Sequence, residues 1–95
     1  MPSPEESREI IGSEVKFWRT VLGSLETGDG NYAYADTRDS MEMVDQMLEG
    51  NEAYAALRAQ RPEISKKLME GATPEEKAEG LEEFKRWLDE VEKVI

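Results

Sequence analysis

The sequence predicts an all-α fold: a small bundle of about four helices, with a Gly/Asp/Tyr-containing loop between the first and second. Three observations point there. Apolar residues recur at helical spacing through most of the chain. Helix-start signals stand at Ser3-Pro4, Asn51 and Thr73-Pro74. The only alternating stretch, Tyr32-Ala33-Tyr34-Ala35, is too short to set up a sheet. A length of 95 residues fits one domain, 1–95, and a 38% hydrophobic share with two Trp, three Tyr and two Phe argues against global disorder.

The first helix is expected from Pro4 to Glu26. Ser3 caps it, Pro4 suits its first turn, and Glu5, Glu6 and Glu9 favour its positive end. Ile10, Ile11, Val15, Phe17, Trp18, Val21, Leu22 and Leu25 cover an arc of roughly 160°. That width suits a central helix, or one that also meets another chain. Gly12 and Gly23 within it are read as sites of close packing.

Thr27-Gly28-Asp29-Gly30-Asn31 is a turn. A second helix starts near Asp36 or Thr37 and runs to Glu49 on a stripe of Met41, Val44, Met47 and Leu48, with Gly50 as its stop. Asn51 caps a third segment holding Tyr54, Leu57, Ile64 and Leu68, broken or kinked at Pro62 and ending at Gly71. In the last helix Thr73, Pro74 and Glu76 form a capping box, and Ala78, Leu81, Phe84, Leu88, Val91 and Ile95 form the core face. Trp87 and Val94 lie beside that face. They pack on the wide arc of the first helix or make a dimer contact, the former being favoured.

With no His and no Cys, the commonest general base, thiolate chemistry and the usual zinc and iron sites are absent. No enzyme, cofactor or metal is expected. A calcium loop starting at Asp29 fails, because its sixth and twelfth positions are Tyr34 and Ser40 rather than Gly and Glu. The acids Glu75, Glu76, Glu79, Glu82 and Glu83 read as dipole-stabilised and solvated rather than as a metal site. Glu82–Arg86 and Asp89–Lys93 have ion-pair spacing. Glu14 falls inside the apolar arc, so it either lies exposed at a shallow edge of the bundle, the favoured reading, or needs a partner such as Arg58, Arg61 or an indole donor, or faces a partner protein.

Charge supplies the functional clue. Twenty-two acids against 12 bases give a net −10. Between Glu26 and Glu49, seven acids face Arg38 alone, a net of −6. This balance opposes direct binding to nucleic acid or an anionic membrane, and favours a basic partner. No apolar run is long enough to span a bilayer, and the first residues lack a secretion-signal pattern, so a cytoplasmic setting is expected.

The expected surface comprises Asp29, Tyr32, Tyr34, Asp36, Asp39, Glu42, Asp45 and Glu49. Tyrosines supply contact area and carboxylates steer a cationic partner. Tyr32-Ala33-Tyr34 followed by Asp36 and Asp39 is similar to the tyrosine-and-acid helix of nuclease-colicin immunity proteins. That family's tyrosines are adjacent, whereas Ala33 separates them here, and the first helix is longer. The leading expectation is a small non-catalytic binding protein, of the inhibitor, immunity, antitoxin or anti-defence type. It would present the acidic surface to a basic, nucleic-acid-binding region of a partner. The alternative is an assembly subunit, a homodimer through the first helix and Trp87.

Overall fold

The computed structural model describes residues 3–69 and 72–95. Among these the chain forms five α-helices and one 3-10 turn, with no strand. The helices are α1 (Pro4–Thr27), α2 (Arg38–Met47), α3 (Glu52–Arg58), α4 (Arg61–Leu68) and α5 (Pro74–Val94). The all-α expectation holds. The third expected segment is two helices, α3 and α4, separated at Ala59 and Gln60. Pro62 lies in the first turn of α4, where its missing N–H leaves no helical bond unmade. The expected end at Gly71 lies outside the described residues.

Local chemistry sets the boundaries. The Glu6 amide donates to Ser3 Oγ at 3.1 Å and opens α1. Gly28 closes it in a left-handed conformation, φ 69°, with its N–H donating to the Ser24 carbonyl at 2.9 Å. The Tyr-Ala-Tyr-Ala stretch is not extended throughout, because Tyr34–Thr37 wind into the 3-10 turn. Asp36 accepts from the Ala33 amide at 2.8 Å, and Thr37 Oγ1 donates to the Tyr34 carbonyl at 2.7 Å. Asn51 Oδ1 accepts from the Tyr54 amide at 3.0 Å and starts α3. At α5 the Glu76 amide donates to Thr73 Oγ1 and the Thr73 amide to Glu76 Oε1, both at 3.1 Å.

The core is an aromatic stack between α1 and α5, closed by the other helices. Trp18 and Trp87 meet at 5.7 Å, and Phe84 lies 6.3 Å from Trp87. The Tyr34 ring meets Phe84 edge-on at 5.5 Å. Such pairs add about 1 kcal/mol each beyond the area they bury. Ile11, Val15, Val44, Leu57, Ile64, Leu88 and Val91 fill the space around them. The inner face of α5 is Gly80, Phe84, Trp87, Leu88 and Val91. Ala78, expected inside, is exposed, and Leu81 and Ile95 are only partly covered. The face is rotated because α4 packs directly on α5.

Gly80 makes that contact possible. A Cβ there would stand 2.8 Å from Lys67 Cβ and 2.9 Å from Leu68 Cδ2. Lys67 Cβ is tied to its own backbone, so α4 itself would have to move. Gly12 and Gly23, read from sequence as packing sites, face open space, with nothing within 4 Å of an added Cβ. These three glycines therefore give opposite expectations. Gly80→Ala should destabilise by about 1–3 kcal/mol through overpacking. Gly12→Ala and Gly23→Ala should each stabilise by about 0.5–1 kcal/mol by restricting the unfolded chain and improving helix propensity. Urea denaturation of the three variants checks both signs.

Candidate interaction surface

The acidic segment divides into residues that hold the fold and residues that face water. Asp29 belongs to both groups. It is exposed, yet it accepts from Ser24 Oγ and, at 2.8 Å, from the Asn31 amide. The Ser24 bond first, then that of Asn31, holds its carboxyl below the usual range. Asp36 is exposed and closes the 3-10 turn. Tyr32 is exposed at one edge, while its ring meets Phe17 edge-on at 5.6 Å.

On α2, Asp39, Glu42, Met43 and Gln46, with Glu49 just beyond, occupy an outward arc of roughly 120°, and all five are exposed. Arg38 reaches Glu42 only at 3.7 Å, with both side chains in water. Such a pair contributes little. Asp39 and Glu49 have no ion-pair partner among the described residues.

Of the residues expected on the surface or offered as a dimer contact, Tyr34, Trp87 and Asp45 are buried and Val94 is half-buried. Tyr34 is buried against Phe84, and its hydroxyl hydrogen-bonds Ser65 Oγ at 2.8 Å. Burial pushes its phenol pKa up. Trp87 is 2% exposed, stacks on Trp18, and donates through Nε1 to the Leu57 carbonyl at 2.7 Å. Val94 is half-buried against the core, and its carbonyl accepts from Asn51 Nδ2 at 3.4 Å. Trp87 thus takes the intrachain option on the wide face of α1, and its ring is withdrawn from any partner.

Asp45, like Tyr34, is corrected from surface to core. Only 6% exposed, it accepts from Arg61 through both oxygens at 2.7 Å and from the Tyr54 hydroxyl at 2.6 Å. Arg58 approaches it at 3.3 Å from the solvent side. Arg61 in turn lies over the Trp87 ring, 5.9 Å from its centroid. Burial alone would raise the Asp45 pKa. The bonds from Arg61 and Tyr54 and the two guanidinium charges outweigh it, so the carboxyl lies below its ordinary range. The Tyr54 phenol moves up, from burial first and then from its bond to the carboxylate.

The cations that sequence spacing offered to Glu14 therefore serve Asp45. Glu14 accepts instead from Ser40 Oγ, and Ser40 accepts from the Trp18 indole at 2.7 Å. The relay joins α1 to α2 through a serine that the apolar pattern does not mark. On α5, Asp89 and Glu92 hold Arg19 of α1 at 2.7 Å each, and Lys67 of α4 reaches Glu83 at 2.6 Å. The expected Asp89–Lys93 pair gives way to Arg19–Asp89 and Lys93–Glu90. Among the described residues no group of three or more acids is placed to hold a metal ion. No helix there is long and apolar enough to cross a membrane.

The Asp45 cluster predicts a pH dependence. Folding lowers the Asp45 pKa, so its contribution is complete above the unfolded value of about 3.9 and fades as pH falls through the folded one. Asp45→Asn should cost about 3 kcal/mol at neutral pH, by leaving the Arg61 charge without its partner. It should also flatten the loss of stability below about pH 4. Chemical denaturation at a series of pH values measures both effects. Comparison of the chain with protein-family models, with curated proteins and with solved structures finds no match.

Proposed function

We propose that the chain is a small, non-catalytic protein-binding module that presents the outward face of α2 to a basic region of a partner protein. The observation that carries this reading is the exposed strip of Asp39, Glu42 and Glu49, with Asp36 at its start, the weakly engaged Arg38 beside it and Arg58 at its edge. Several other acids are drawn into ion pairs within the fold, Asp45 by Arg61, Asp89 and Glu92 by Arg19, and Glu83 by Lys67, whereas Glu5, Glu75 and Glu82 are exposed without an ion-pair partner among the described residues. In the strip, Asp39 and Glu49 have no ion-pair partner among the described residues, and Glu42 has only the exposed one with Arg38.

A row of carboxylates on a rigid helix steers a cationic surface during encounter and sets its orientation. A basic groove built for nucleic-acid phosphates is the partner chemistry that fits. An inhibitor of such a protein would act by occupying the groove. The assembly reading, a homodimer through α1 and Trp87, loses its aromatic anchor because Trp87 is covered within the chain.

The test separates location from total charge. One variant carries Asp39→Asn, Glu42→Gln and Glu49→Gln; a second carries Glu5→Gln, Glu75→Gln and Glu82→Gln, which removes the same charge elsewhere. In affinity capture from native lysate, basic proteins held by the unaltered chain should be retained by the second variant and released by the first. Raised salt should also release them. Equal retention by both variants, or equal loss, contradicts the proposal.

A further inference from the structure

Of the four exposed large apolar side chains among the described residues, Met69, 52% exposed, lies at the end of α4, and the other three lie on or beside α1 and α2. Ile10, Tyr32 and Met43 are 38%, 39% and 37% exposed. Contacts step backward along α1 as the chain returns. The Tyr32 amide donates to Ser24 Oγ at 3.0 Å, the Tyr32 ring meets Phe17, and Ser40 touches Trp18 and Glu14. So α2 runs antiparallel to α1, with Ser40 facing it. Met43 is the next turn of α2 beyond Ser40, and Ile10 is the turn of α1 before Glu14.

Around each helix, Met43 lies roughly 60° outward from Ser40, Ile10 roughly 40° from Glu14, and Phe17 roughly 20° from Ile10. Ile10, Phe17, Tyr32 and Met43 therefore border one seam between α1 and α2. Between Ile10 and Met43 the charge bordering this seam is negative, while Lys77 shares a hollow with Tyr32 at its other end. Glu6 and Glu14 flank it on α1; Asp36 and Asp39 flank it on the returning chain. Arg8 and Lys16 point roughly 160° and 120° away from Ile10, and Arg19 is turned to α5.

We infer that the α1/α2 seam seats a segment of a partner protein that carries apolar side chains flanked by Lys or Arg. This inference rests on the acidic-surface reading. It moves the centre of contact to the α1 side of α2 and adds an apolar anchor. Charge complementarity selects the occupant: the seam has carboxylates on both sides and no base between them. A second copy using the same face would set Asp39 and Glu14 against acids of its own kind, which disfavours a two-fold dimer there. Acids alone speed encounter, whereas apolar anchors slow release.

The experiment uses the full chain, isotope-labelled for amide NMR. Its probe is a synthetic peptide with Leu and Lys at amphipathic helical spacing. A peptide of the same composition with the Leu scattered serves as control. The amphipathic peptide should shift amides around Ile10, Phe17, Tyr32, Ser40 and Met43, and bind about tenfold more tightly than the control. Ile10→Ser with Met43→Ser should weaken it by about tenfold without changing its salt dependence. Glu6→Gln with Asp39→Asn should reduce the salt dependence.

Both apolar positions are partly in water already, so thermal melting should show the variants folded. Shifts gathered at Glu42 and Glu49, insensitive to the serine variant, overturn the seam and leave the acidic face standing. Sensitivity to the serine variant without any salt dependence keeps the seam and overturns the charge reading. No shift at millimolar peptide overturns both. Concentration-dependent self-association, abolished by the serine variant, overturns the partner assignment in favour of a second copy.

Discussion

The carboxylate of Asp45, drawn inward from α2, ties together the two halves of the molecule. Arg61 grips it from the start of α4, and Tyr54 from the middle of α3. Arg61 also caps the Trp87 ring, whose indole holds the end of α3 through the Leu57 carbonyl. Both ions are largely removed from water, at 17% and 6% side-chain exposure. Desolvating two ions costs several kcal/mol, and only near-ideal geometry offsets that. The bidentate pairing, the phenol donor and the second guanidinium supply that geometry. The pair adds specificity of arrangement more than net stability, because it leaves α2, α3 and α4 one register in which both of these buried charges are satisfied.

That arrangement shapes the surface. With Asp45 turned in, α2 is amphipathic in an unusual sense: its inner face is part apolar and part anionic, and its outer face is acidic. Arg58 stays exposed at the edge of the strip, sharing a hollow with Glu42 and Glu49, whereas Arg61 is held on the inner side. Arg19 and Lys67 are held in the same way by acids of α5. The fold thus leaves Asp39 and Glu49 of the α2 segment without an ion-pair partner among the described residues, as it does Glu5 on α1 and Glu75 and Glu82 on α5. The same turn of α2 places Met43 at the edge of the α1 seam, beside an otherwise polar surface.

Local signals were readable from sequence wherever the responsible groups lie within a few residues of one another. The Ser3, Asn51 and Thr73 caps bond amides three residues away. The Pro62 break and the Gly28 stop depend on backbone chemistry alone. Long-range pairing was not readable. Asp45 and Asp39 have the same charge and similar neighbours in the chain, and only the tertiary position of Arg61 makes one structural. Gly80 carried no signal, because its requirement comes from Lys67 and Leu68 across a helix–helix contact. Ala78 and Trp87 exchanged places for the same reason: a helical stripe fixes period, whereas packing against α4 fixes which side of a wide stripe is covered. Tyr34 reads as a contact residue because aromatics suit interfaces, yet the same area suits a small core, where it and Trp87, for which intrachain packing is the favoured expectation, both lie.

The central claim is that Asp45 and Arg61 act as one unit inside the fold and not as separate surface charges. A double-mutant cycle of Asp45→Asn, Arg61→Met and the combined variant, read by urea denaturation at neutral pH, measures it directly. A coupling above about 1.5 kcal/mol is predicted, with the combined variant more stable than the sum of the single losses implies. Additive losses, with coupling below about 0.5 kcal/mol, would contradict it.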